Sequence, residues 1–215
     1  MIQALPARER KRLLAACELR QLGADRLAGD RGAALVLFPA TCLLAVVTSG
    51  SATPPLALML EGRRGMVGAS LCLGNGPRPF AMRVLLPGSA WGLGPAAFLR
   101  QLRASPALLR ATERHHLLQQ RRLVATAGCA HFHHLEGRLA LWLLRVADEA
   151  GPRFTATHDQ LARLLGVQRA AVSLAAGALK ARGALDYRRG VVRVLRRDLL
   201  ERSACRCLGH WPAPA

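Results

Sequence analysis

The sequence predicts an α+β fold in three parts: an antiparallel β-rich amino-terminal domain, one long helix, and a carboxyl-terminal pair of short helices closed by a hairpin. Three observations predict it. Residues 18–93 break into short apolar runs punctuated by Gly, Pro and Asp, the texture of a compact antiparallel barrel or roll. Residues 95–150 change to apolar steps of three and four, the period of helices buried on one face. Residues 157–195 carry in succession a helix-start signature, a turn glycine, a second helical run and a basic strand pair.

In chain order, residues 6–17 read as a short helix after Pro6, with Leu13 and Leu14 turned inward. The apolar runs that follow are Leu35-Val36-Leu37-Phe38, Leu43-Leu44-Ala45-Val46-Val47, Leu56-Ala57-Leu58-Met59-Leu60 and Met82-Arg83-Val84-Leu85-Leu86, with turns at Gly29-Asp30-Arg31-Gly32 and Pro87-Gly88. Any single run is short enough to be helix; the turn residues between them favour strands. Ser105-Pro106 then supplies an N-cap and a proline at the first helical position. Leu109, Thr112, His116, Gln119, Leu123 and Val124 follow at helical spacing. A helix this long links two domains or pairs with a second subunit, and Leu109, His116, Leu123 and Val124 are its expected dimer contacts. Leu135, Leu139, Trp142, Leu143 and Val146 form the apolar stripe of a further helix that ends at Gly151-Pro152. The expected boundaries are 1–104 for the β-rich domain, 105–130 for the long helix and 131–215 for the carboxyl-terminal domain.

At 215 residues, 51% of them hydrophobic and 20% charged, the chain can bury a core and is not disordered by composition. Its net charge of +18 implies an anionic partner, most commonly nucleic acid. All the basic residues but Lys11 and Lys180 are Arg, a tilt that a GC-rich coding bias also produces. The start runs into Arg8-Glu9-Arg10-Lys11-Arg12 rather than an apolar core, so no signal peptide is expected. No apolar run is long enough to span a membrane, and a membrane partner is not expected. Six scattered cysteines without a Cys-x-x-Cys fit a reduced, cytoplasmic setting.

Thr157-His158-Asp159-Gln160 is a capping box opening a helix that buries Leu161, Ala162, Leu164 and Leu165. Gly166-Val167 makes a tight turn, and a second helix runs from about Gln168 to Arg182, with Ala171, Val172, Ala175 and Leu179 inward. Tyr187-Arg188-Arg189-Gly190 and Val191-Val192-Arg193-Val194-Leu195 read as strands and tip of a wing. Together these make a winged helix-turn-helix, whose second helix would enter the major groove of double-stranded DNA amino-terminus first. Gln168, Arg169 and Ser173 are the expected base readers: Arg169 can chelate guanine O6 and N7, and Gln168 can pair with adenine. Thr157, Lys180, Arg182, Arg188, Arg189 and Arg193 are the expected phosphate contacts. Residues 152–215 hold 12 basic and 4 acidic residues, net +8, which concentrates charge here. The bland alternative is a small helical domain with a solvated basic face, but capping box, turn glycine and wing coincide.

On Thr157 through Ala162, Leu165 through Val172, Gly183 through Leu195, and Asp198-Leu199-Leu200 with Cys205-Arg206-Cys207, the chain resembles the Crp/Fnr (cyclic-AMP receptor protein/Fnr) family of bacterial transcription regulators. Gly62 through Gly68 resembles the turn of that family's cyclic-nucleotide-binding-like β-roll, and Cys129 through Leu144 the segment joining its dimer helix to its DNA domain. The resemblance implies a jelly-roll sensor domain, a dimerisation helix and a winged helix, acting as a homodimer on a palindromic operator, with RNA polymerase as a further partner. It points to Gly65, Gly68 and Arg78 as effector-binding residues. Cyclic-AMP binders of the family use a Glu for the ribose and an Arg followed by a hydroxyl residue for the phosphate. Here Met66 through Ser70 has no acid and Pro79 follows Arg78, so cyclic AMP is not expected, and the effector is left open. Oxygen-sensing members use an amino-terminal cysteine cluster; only Cys17 lies there, so no iron–sulfur cofactor is expected either. In the recognition helix the family's common Arg is Arg169, while the following acidic and second Arg positions are Ala170 and Leu174, which implies a different operator. The competing reading is a ligand-binding sensor module whose basic domain contacts a protein such as RNA polymerase.

Other signals are weaker. Cys129, His131, His133 and His134 could ligate zinc, but adjacent side chains do not all converge from one helix, and no metal site is expected. Cys205-x-Cys207 could be a redox pair, although it lacks a Cys-x-x-Cys frame. Trp91, Trp142 and Trp211 are read as packing residues. The glycines of 62–68 could cradle phosphate but come without a Walker lysine. No Ser/His/Asp or paired-carboxylate arrangement stands out, so no catalytic residue is assigned and an enzyme is not expected.

Overall fold

A computed structural model describes residues 1–24, 35–48, 55–68 and 80–207. The chain divides into two compact units, Met1–Ser49 with Met59–Gln120, and Gly50–Leu58 with Arg121–Ala215. Arg78, Cys72 and the turn expected at Gly29–Gly32 lie outside the described residues.

The first unit opens with a 3-10 turn, Ile2–Ala4, and helix α1, Ala7–Ala15. Among the described residues six strands follow: β1 (Glu18–Leu22), β2 (Val36–Pro39), β3 (Leu43–Thr48), β4 (Ala57–Glu61), β5 (Phe80–Leu86) and β6 (Gly88–Leu93). They form two sheets, ordered β1-β6-β2 and β4-β3-β5. β6 pairs antiparallel with both β1 and β2, and β3 with β5. The four apolar runs are therefore strands. β2 and β3 are buried along nearly their whole length, which is why they read as continuous hydrophobic runs rather than alternations. β6 has a weaker sequence signal, Gly-Ser-Ala-Trp-Gly-Leu, and owes its place to pairing on both edges. Helix α2 (Pro95–Ala104) and the start of α3 (Pro106–Phe132) complete the unit. Phe98 of α2 meets Phe38 of β2 edge to face, ring centres 6.1 Å apart, within a core of Leu5, Leu13, Val36, Met66, Leu93 and Leu108.

Ser105 is the N-cap expected of α3, its Oγ accepting from the Leu108 N–H at 3.1 Å. The helix has 27 residues. In the second unit α3 gives way to α4 (Leu135–Ala150), then β7 (Arg153–Thr155), α5 (His158–Leu165), α6 (Arg169–Ala181), β8 (Leu185–Arg188), β9 (Val191–Val194) and α7 (Arg197–Ser203). α4 buries Leu139, Ala140, Leu141, Leu143, Leu144 and Val146. That face is wider than the single stripe expected, because both α6 and α7 pack on it. Among the described residues, no helix is long and apolar enough to cross a membrane.

Candidate nucleic-acid interface

Local chemistry fixes the helix-turn-helix. Thr157 caps α5: its Oγ1 accepts from the Gln160 N–H at 3.1 Å, and the Thr157 N–H donates to Gln160 Oε1 at 2.9 Å. Gly166 ends α5 at φ 66°, ψ 41°, a left-handed conformation that a side chain makes costly. The Leu165 carbonyl at that end accepts from Arg138 at 2.8 Å. α6 begins three residues later, at Arg169, and turns Val172, Ala175, Ala176 and Leu179 into the core. Its opposite face exposes Arg169, Ala170, Leu174 and Gly177, with Leu174 77% exposed. This face is narrow and smooth apart from one arginine and one leucine. Sequence reasoning treated Leu174 as a lost arginine position rather than as an exposed apolar contact.

β7, β9 and β8 form the wing sheet in that order. The β8–β9 hairpin turns on Arg189 and Gly190, at φ 48° and 78°. Two positive φ values match the mirror-image turn that suits strand twist. Asn or Gly is the usual first residue there, so an arginine holds its position against backbone strain. Arg153 of β7 stands opposite Arg193 of β9. Facing like charges are unfavourable by themselves and favourable beside an anion. Arg153 was missed because its three-residue strand has no sequence signature.

The predicted site residues divide. Gln168 is the N-cap of α6 but its side chain makes no capping bond; both it and Arg169 are exposed at the helix start. Arg189 and Arg193 are exposed on the wing. Ser173 differs from expectation: its hydroxyl donates to the Arg169 carbonyl at 3.1 Å and meets His158 Nδ1 at 2.9 Å. The His158 ring in turn stacks on Tyr187 of β8, centres 4.1 Å apart, and the Tyr187 hydroxyl donates to the Ala156 carbonyl at 2.8 Å. This lock joins α5, α6 and the wing. Burial, then the Arg169 charge, holds the His158 pKa below its usual value. The Thr157 hydroxyl is likewise taken up by its cap. Lys180 pairs with Asp186 at 2.7 Å, Arg188 with Asp186 at 3.2 Å, and Arg182 with Glu136. The Lys180 bond is the main cause of the lowered Asp186 pKa. Lys180 and Arg182 stand at the far end of α6, roughly 16–20 Å from Arg169 at 1.5 Å per residue.

In the first unit, Gly65 and Gly68 are in close contact with their own chain: a Cβ at Gly65 would strike the Glu61 side chain, and one at Gly68 (φ 89°) the Leu35 carbonyl. Glu61 is buried, accepting from Gln119 Nε2 at 2.9 Å and lying 3.4 Å from His115 Nε2. The His115 ring also meets the Met66 N–H at 3.2 Å. On α3, Leu109 is 42%, Leu117 58% and Val124 75% exposed. Leu123 is exposed beside them and His116 half-buried.

A capped helix-turn-helix, a three-stranded wing and an arginine at the start of the second helix define a winged-helix nucleic-acid-binding class. Residues 137–203 match the Crp-like helix-turn-helix domain family, so the carboxyl-terminal unit carries a Crp-like helix-turn-helix. The chain has the fold of Crp/Fnr regulators. It is similar to the c-di-GMP-responsive global regulator CLP of Xanthomonas campestris, at 17% identity over 88% of this chain and 99% of that one, TM-score 0.71. A Crp/Fnr-family transcriptional regulator of Thermus thermophilus gives 19% identity over 87% and 98%, TM-score 0.68. FixK2 of Bradyrhizobium japonicum gives 14% over 88% and 98%, TM-score 0.71. A search of curated protein sequences gives no significant match.

Proposed function

We propose that this chain is a Crp/Fnr-type transcription regulator that binds double-stranded DNA as a homodimer, with α6 in the major groove. The observation that carries the reading is the outward face at the start of α6, where Arg169 stands exposed beside Ala170 and Leu174. Small side chains let the helix sit deep in the groove. Arg169 can then make two parallel bonds to guanine, Gln168 can reach the neighbouring base, and Leu174 can touch a thymine methyl. Arg189, Arg193 and Arg153 hold phosphates and set the register without reading sequence. The exposed residues Leu109, Leu117, Leu123 and Val124, with His116, are the dimer contact along α3. The first unit is the sensor. Its buried Glu61 is already bonded to Gln119, which supports the expectation that cyclic AMP is not its ligand. RNA polymerase is the expected protein partner of a DNA-bound activator.

Selection from a random DNA pool gives the operator, and affinities on its single-base variants test the assignment. Arg169→Ala should lose about 1–3 kcal/mol on the operator and relax one base pair per half-site. Arg193→Ala should weaken every sequence alike and lower the log–log salt slope by about one. Equal losses on all sequences from both variants would overturn the recognition-helix assignment. A salt-independent interaction would favour a protein partner instead. Leu123→Asp should sediment as a monomer with reduced operator affinity; a wild-type chain that is monomeric at micromolar concentration would overturn the dimer.

A further inference from the structure

Two features that sequence reading kept apart meet in the second unit. Cys129 lies in the last turn of α3, and His133 follows it by four residues, one helical turn on, with its N–H still donating to the Cys129 carbonyl at 3.2 Å. Cys205 and Cys207 come just after α7. The four ligand atoms all lie within 4.8 Å of one another. Cys129 Sγ is 3.4 Å from Cys205 Sγ, and Cys207 Sγ is 3.5 Å from His133 Nδ1. His131 and His134 are exposed and stand outside this cluster. The expectation that the helix residues alone could not converge holds for those two; the missing ligands come from the chain after α7.

We propose that Cys129, His133, Cys205 and Cys207 form a structural zinc site. Zinc bound tetrahedrally at about 2.3 Å from sulfur and 2.0–2.1 Å from nitrogen places its ligand atoms about 3.5–3.8 Å apart. The two measured separations are within a few tenths of an ångström of that. A polynuclear iron–sulfur cluster needs thiolates spread over several irons and so held farther apart. Three soft thiolates and an imidazole suit zinc over magnesium or calcium. All four positions come from protein, which leaves no open coordination site and makes the role structural.

The surroundings fit such a closed site. Cys129 and Cys207 are buried with Leu141, and Ala204 packs beside them. The Cys205 N–H donates to the Gly137 carbonyl at 3.1 Å, anchoring the segment after α7 on α4. Gly137 permits this approach, since a Cβ there would lie 3.2 Å from the Cys205 nitrogen and 3.4 Å from the Ser203 carbonyl oxygen. The four ligands flank the family-matched segment, 137–203, on both sides. An ion here would clasp the two ends of the helix-turn-helix domain together. Its binding free energy then adds to the stability of that domain.

The test uses the full chain purified under reducing conditions. Elemental analysis should find about one zinc per chain, and cobalt exchanged into the site should show the intense visible bands of tetrahedral thiolate coordination. Zinc should survive Cys17→Ser and Cys42→Ser and fall about tenfold or more in Cys205→Ser and Cys207→Ser. Should a ligand variant fail to fold, the wild-type cobalt spectrum decides, because it needs no substitution. A chain that carries no zinc and gives no tetrahedral cobalt spectrum would overturn the proposal. So would iron with acid-labile sulfide, or a Cys129–Cys205 disulfide in the intact mass of chain purified in parallel without reductant. None of these readouts depends on DNA binding, so the site can fail while the regulator reading stands.

Discussion

One buried side chain of the amino-terminal unit contrasts with an exposed set in the carboxyl-terminal unit. In the amino-terminal unit a carboxylate is taken inside: Glu61 is 1% exposed, with Gln119 and His115 beside it. In the carboxyl-terminal unit Arg122 is buried, but Arg169 at the start of α6 and the arginines of the wing stand outside, with Arg153 and Arg193 facing one another. A buried polar group kept by internal bonds specifies one arrangement of its own surroundings. Cations crowded at a surface lower their energy when an anion arrives. The first pattern holds a structure together, and the second is what the proposed DNA contact requires.

Four substitutions put this contrast to the test. The largest effect is expected within α6 itself. Leu179→Ala, at a side chain with no exposed surface, should cost about 2–5 kcal/mol in urea unfolding. Leu174→Ala on the opposite face should change stability by no more than about 0.5 kcal/mol while weakening any thymine preference in the operator. If both variants unfold alike, α6 has no free face and the docking description fails. Next comes Glu61→Ala, which removes one of the two acceptors of Gln119 and should cost about 1–3 kcal/mol. The salt slope of DNA binding should not change, because no phosphate contact is lost; a reduced slope would mean Glu61 supports the cationic surface after all. The smallest effect is at the wing tip. Arg189→Gly relieves a positive φ and should raise the unfolding free energy by up to about 1 kcal/mol, yet lower the salt slope by about one. A slope left at the wild-type value would remove Arg189 from the phosphate contacts.

The helix-turn-helix was legible in the sequence because its signals are local. Thr157 and Gln160 bond across three residues, and Gly166 sits where its own φ demands it. Locality also left out a contact of Ser173, whose hydroxyl meets His158 fifteen residues away. It also hid the acids that pair with Lys180 and Arg182, one of which, Glu136, lies 46 residues from its partner. The cysteine cluster was only half legible for the same reason: Cys129 and His133 stand one helical turn apart, but Cys129 and Cys205 are 76 residues apart, and nothing local joins the two pairs. β6 was obscure because its residues have little strand preference and its position comes from the two strands beside it.

The lock between α5, α6 and the wing has a practical side. Tyr187 is the chain's only tyrosine, and it stacks on His158 while its hydroxyl holds the Ala156 carbonyl. Fluorotyrosine incorporated during expression would therefore give a single fluorine resonance, assigned without mutagenesis. Ring-current shielding from the imidazole would make its frequency report whether the wing is seated. A titration with operator DNA, or a search for small molecules acting on the first unit, could be followed through that one line.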